Sequence, residues 1–241
     1  SSNFSGSIQS TVSANTTAEF SIVKYTGAGT GTTTTVGHGL GAVPDVYMVK
    51  SLDSVGGWHM YHHQVSAAPE TDYIDLNTTD AVADYTFWGD TAPTSTVFTV
   101  KDGDDVNASG EEYIAYCFKS KKGYSRFGSY TGNGSTDGTF VYTGFKPAWV
   151  LVKNTTSGSH SWLLFDNQRD PINTANQLLM PNQSSAESET SNEFDFLSNG
   201  FKLRSTGTDG NESGSTIIYL AFAENPFVAN DSGTAVPVVA R

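Results

Sequence analysis

Short apolar runs separated by glycine-rich polar turns set the pattern of this chain. The densest run covers residues 113–118 and follows the turn Asn107 to Gly110; a second covers residues 217–222 and follows Asn211 to Gly214. Each is rich in β-branched and aromatic side chains, is too short for a helix and is bounded by a turn. Each therefore reads as a buried strand in the middle of a sheet. Further strands are predicted over 20–25, 32–36, 58–63, 71–76, 94–100, 148–153, 161–165, 193–196, 200–203 and 215–223. A hairpin is expected from 128–131 and 138–143, because the connector Asn133 to Gly138 has hairpin turn chemistry. Residues 166–192 are long, polar and strand-poor and read as an elaborated loop. No segment holds a 3.6-residue period over ten residues.

The pattern occurs twice. Asn211 stands 104 residues after Asn107, and Trp162 the same distance after Trp58; Tyr25 and Gly27 recur as Tyr130 and Gly132 at an offset of 105. The strand at 46–50 recurs at 149–153, and Phe98 recurs as Phe201. The drift in offset falls in Gly/Ser loops, where insertions cost little. The expected fold class is therefore all-β, with two tandem duplicated β-sandwich (jelly-roll-like) domains. Residues 1–19 are read as an N-terminal arm or linker, 20–125 as copy one, 126–226 as copy two and 227–241 as a C-terminal tail.

Charge and composition narrow the partners. Lys and Arg total 13 against 25 Asp and Glu, a formal net charge of −12. Such a chain is repelled by nucleic-acid phosphates and by anionic lipid. No run approaches the roughly 20 apolar residues of a membrane span, so no membrane insertion is expected. The single cysteine, Cys117, lies in the first apolar run and reads as a small core hydrophobe. A disulfide-free chain points to assembly in the cytoplasm. The chain does not begin with Met, and a processed N-terminus or a fragment of a longer protein is the expectation. The nine Asn-x-Ser/Thr triplets are what a chain rich in Asn, Ser and Thr makes by chance.

Candidate chemistry is sparse. On a strand His59 and His63 share one face with Tyr61, while His62 shares the other with Trp58 and Met60; ordinary packed or surface histidines are expected, not a metal site. The carboxylates of Asp102, Asp104 and Asp105 are spaced as in part of a calcium loop, but the EF-hand pattern is not completed. Trp58 and Trp162 read as core. Trp88 has no counterpart in the second copy and reads first as a plug of its own loop, with the alternative that an exposed aromatic beside a loop can stack on a sugar. Trp88, Arg169 and His62 are the candidate binding residues. No GxSxG or HExxH is present and no carboxylate pair stands out, so no catalytic residue, metal or cofactor is expected, and the chain is not read as an enzyme.

The strings FSIVKYTG, VGHGLGAVPDVYMVK, TAPTSTVFTV, NASGEEYIAYCF, FGSYTGNGSTDGTFVYTGFKPAWVLVK, DFLSNGFKLR and IIYLAFAENPF resemble a two-copy C-terminal module of tail-fibre-like and other virion proteins of tailed bacteriophages. The likeness runs from Thr11 to Arg241. It implies a β-rich module displayed on the particle, a tail fibre or appendage attaching to the host surface, with glycan as the expected ligand. Its partners would be other virion proteins and further copies of itself, a trimer by analogy. The alternatives are a capsid decoration or head-fibre protein that stabilises the shell, and, third, a polysaccharide depolymerase.

Overall fold

The computed structural model describes residues 1–226, so the expected tail at 227–241 lies outside the described residues. The fold is all-β, built from antiparallel sheets. The described residues divide into two compact units: residues 1–76 with 82–120, and residues 121–226 with the excursion 77–81.

In the first unit the strands are β1 (Ser2–Asn3), β2 (Ser10–Asn15), β3 (Phe20–Thr26), β4 (Thr34–Gly37), β5 (Val46–Ser51), β6 (His59–His62), β7 (Asp72–Asp75), β8 (Ala83–Asp84), β9 (Val97–Val100) and β10 (Glu112–Phe118). They form one large sheet in the order β1-β2-β3-β10-β5-β6-β7-β8, and β4 pairs with β9. The dense run β10 thus lies between β3 and β5, where Tyr113, Ala115 and Cys117 face the core and Ile114, Tyr116 and Phe118 are half-buried on the opposite face. Residues 1–19 are not a free linker: Ser10–Asn15 pairs along its whole length with β3. The alternation that places Ser10 and Val12 inward explains this, since only a strand can bury both.

The first core joins Val23, Tyr25, Tyr47, Val49, Tyr61, Tyr113 and Cys117 of the large sheet to Val36, Phe98 and Val100 of the β4–β9 pair. Two strands do not cover so broad a sheet. A 3-10 turn at Thr86–Trp88 supplies Phe87 and Trp88, and Trp88 is fully buried against Tyr47 with ring centroids 4.8 Å apart.

The second unit continues with β11 (Ser125–Thr131), β12 (Phe140–Tyr142), β13 (Pro147–Asn154), β14 (Leu163–Asp166), β15 (Ala175–Leu178), β16 (Ser188–Leu197), β17 (Gly200–Leu203) and β18 (Thr216–Ala223). Two four-stranded sheets result, β11-β18-β13-β14 and β12-β17-β16-β15. Val150, Val152, Phe165, Ile217 and Tyr219 of the first face Val141, Phe194, Phe201 and Leu203 of the second across a single core, a sandwich. The expected hairpin of 128–131 with 138–143 does not form. Strand β11 pairs with β18 and β12 with β17, so the Asn133 to Gly138 connector crosses from one sheet to the other. The loop expected at 166–192 carries β15 and the start of β16.

The repeated landmarks have a physical meaning in each unit. One-turn helices α1 (Asp104–Asn107) and α2 (Thr208–Asn211) end on fully buried asparagines. The Asn107 amide donates to the carbonyls of Gly29, Thr32 and Lys101 at 2.9–3.0 Å and accepts from the Ala28 amide at 3.0 Å. The Asn211 amide donates to Asn133 Oδ1 and to the carbonyls of Ser135 and Ser205 at 2.8–3.0 Å, and accepts from the Asn133 amide at 3.0 Å. Gly27 and Gly132 pass so close that an added Cβ would stand 2.2 Å from the carbonyl oxygens of Ala108 and Glu212. Each buried asparagine therefore satisfies its own amide by tying together the backbone of two neighbouring turns.

Candidate functional site

The three sequence-predicted binding residues are not a surface. Trp88 is a core residue whose indole Nε1 donates to the Asp72 carbonyl at 2.9 Å, so it is not available to stack on a sugar. A tryptophan beside Gly89 and Pro93 fits either a plug or a loop tip in sequence, and the thin second layer that it fills settles it as a packed residue. His62 is fully buried on β6. Arg169 is a clasp: Nε meets Asp166 at 2.5 Å, Nη1 meets Glu187 at 2.9 Å, and the guanidinium donates to the carbonyls of Leu164 and Gln177 at 3.1 Å.

The histidines and the aspartate-rich turn separate as well. His59 packs its ring on Phe87 and bonds Asp75 at 2.5 Å, with Asp105 at 3.3 Å from its other nitrogen. Asp102 holds the Thr86 hydroxyl and the Gly31 amide. Among the described residues no group of three His, Cys, Asp or Glu side chains is placed to hold a metal ion. Trp162 is fully buried, as expected of a core residue, but Trp58 is only half-buried, lying against Tyr116. Burial pushes the Cys117 thiol far above its usual range, which suits an inert core residue.

The feature that stands out lies on β12, at the edge of the second sheet. Val141 enters the core, so Phe140 and Tyr142 point the other way and are 45% and 62% exposed. Cross-strand register puts Phe140 beside Lys202 and Asp195, and Tyr142 beside Gly200 and Leu197. Gly200 lets the Phe140 ring lie over the sheet: an added Cβ would stand 3.1 Å from Phe140 Cε2 and 2.0 Å from the Val141 carbonyl oxygen. The charges beside the rings are matched. Lys202 is paired with Asp137, and Arg204 with Asp195 at 3.5 Å. The result is two neighbouring aromatic side chains bordered by donors and acceptors with no net local charge. The run Thr139 to Thr143 carried the signal, but sequence alone does not say which parity of a three-residue apolar run faces out.

These features define a two-unit all-β protein with an open aromatic face. The chain matches, over residues 1–226, the family described as a domain of unknown function (DUF7483), and it belongs to that family. No curated protein and no solved structure matches it significantly.

Proposed function

We propose that this chain is a surface module of a tailed-bacteriophage particle, on a tail fibre or similar appendage, and that it attaches the particle to the host through neutral glycan. The observation that carries the ligand is the exposed Phe140–Tyr142 pair. Aromatic faces cover the apolar face of a sugar ring, and flanking polar groups take its hydroxyls. The local charges cancel pairwise while the whole chain carries −12, so an uncharged sugar is favoured over an anionic one. Virion placement rests on the family resemblance and on a disulfide-free β-fold. One shallow site binds weakly; several copies on an oligomer, a trimer by analogy, would raise avidity by about 10²–10⁴. Residues 1–19 contribute strands to the first unit's own sheet, which weakens the reading of a shell-decoration protein anchored by a free arm.

The test is retention of the full chain on immobilised host-surface polysaccharide, with and without Phe140→Ala/Tyr142→Ala. Retention that drops at least about tenfold in the double variant supports the reading, a loss of about 1.4 kcal/mol or more from two stacking contacts. Retention indifferent to the variant removes the site. Absence of any retention, with immunogold label over the head, would favour shell decoration instead.

A further inference from the structure

A second cluster lies elsewhere in the same unit and owes nothing to the aromatic face. Ser157 sits on the exposed loop after β13, with its Oγ 2.9 Å from His160 Nε2. His160 Nδ1 lies 3.0 Å from Asp209 Oδ1, on the one-turn helix α2. We infer that Ser157, His160 and Asp209 form a nucleophile, base and acid capable of hydrolysing short acyl esters presented on a larger molecule.

The order of the contacts carries the argument. A carboxylate only accepts, so Asp209 fixes the proton on Nδ1 and leaves the Nε2 lone pair aimed at the serine hydroxyl. The supports of each group are in place. Asp209 Oδ1 also accepts from the Ser161 amide at 3.1 Å. The His160 backbone is held at both ends, its amide by the Thr79 carbonyl at 3.2 Å and its carbonyl by Lys153 Nζ at 2.5 Å. His160 is 8% exposed, so the base is sheltered while the nucleophile is open to solvent. Glu212 Oε2 stands 3.7 Å from Nε2, placed to stabilise the imidazolium once it forms. Among the described residues, no backbone acceptor takes the amides of Gly158 and Ser159, and an added Cβ on Gly158 would find nothing nearer than the Ala81 nitrogen at 4.0 Å. Those two amides are the available donors for a developing oxyanion.

The reaction balances with water alone. Ser157 Oγ bonds to the acyl carbon and its proton passes to Nε2. The carbon–oxygen bond to the alcohol breaks and the alcohol leaves with that proton. Water then attacks the acyl-serine, gives a proton to Nε2 and releases the acid, and Ser157 regains its proton. The serine lies on an open loop, not in a deep cleft, so the ester is expected on the outside of a polymer. This departs from the sequence expectation of no catalytic residue: three residues drawn from two segments 49 positions apart carry no motif.

The experiment treats the full chain with a fluorophosphonate probe and maps the adduct by peptide mass, alongside p-nitrophenyl acetate turnover. One adduct on Ser157 is expected, lost in Ser157→Ala. Turnover is expected to fall by about 10³-fold in Ser157→Ala and in His160→Gln, and by at least about 10²-fold in Asp209→Asn. Ser157 is exposed, so its alanine variant should fold as the parent does, which circular dichroism verifies. Absence of an adduct on Ser157, or Ser157→Ala turnover equal to the parent's, overturns the inference.

Discussion

The Tyr130 hydroxyl donates a 2.6 Å hydrogen bond to the Gly210 carbonyl from inside the second core. Tyr25 makes the counterpart bond to the Val106 carbonyl, at 2.7 Å, in the first. Both phenols are pushed well above their usual range by burial, so both stay protonated donors. Each bond ties a central β-sheet to the turn that carries the buried asparagine. Tyr130→Phe keeps the ring and orphans the carbonyl, and should cost about 1–2 kcal/mol in urea unfolding. An unchanged midpoint would mean that the carbonyl finds water.

The asparagine itself should matter more. Asn211→Ala removes four hydrogen bonds made by a fully buried side chain, one of them to the buried Ser205 carbonyl, and a loss of about 2–3 kcal/mol is expected. Asn211→Asp, similar in size, should not rescue it, because a carboxylate accepts and the carbonyls of Ser135 and Ser205 need a donor. A stable aspartate variant would refute this account of the repeat.

Arg169 separates a structural cation from a binding one. Its guanidinium serves two carboxylates and two carbonyls and is one-fifth exposed. Arg169→Ala should lower stability by about 2–3 kcal/mol, since the carbonyls of Leu164 and Gln177 lose their donor. Polysaccharide retention at 10 °C should be unchanged. Lost retention in a fully folded variant would return Arg169 to the list of contacts.

The parts that sequence revealed share a cause. Strand β18 was legible because burial on both faces demands a continuous apolar run, and β10 because its buried Tyr113, Ala115 and Cys117 alternate with half-buried Ile114, Tyr116 and Phe118; a run is local information. Asn107 and Asn211 were legible as landmarks for a similar reason: each turn needs the same donor at the same place. Trp88, Phe140 and Tyr142 were not, because inward or outward direction depends on which sheet lies opposite. The hairpin failed on the same ground, since turn chemistry fixes a reversal and not the partner strand. The Ser157, His160 and Asp209 cluster was hidden most completely, for its geometry is made by β13, its loop and α2 together.

Lys153 gives a pH prediction with a definite sign. It is fully buried on β13, where Nζ donates to the carbonyls of Thr79 and His160 at 3.1 and 2.5 Å. Loss of hydration lowers its pKa from 10.5 to about 8, against the opposing pull of Asp209 and Asp80. Between those two values the unfolded chain holds a proton that the folded chain has released. Stability therefore rises with pH across that window, at up to about 1.4 kcal/mol per unit, and is flat in this respect below pH 8. Neutral lysine still has two N–H groups for the two carbonyls, so deprotonation need not break the site. Lys153→Met cannot titrate, and comparing the two proteins cancels the tyrosines that ionise in the same range. The urea stability of the parent minus that of Lys153→Met should climb by about 1–3 kcal/mol from pH 8 to pH 10.5. A difference that falls over this interval would mean that Lys153 is more stable charged than neutral in its site, and that the two carbonyls and nearby carboxylates outweigh the cost of burying it.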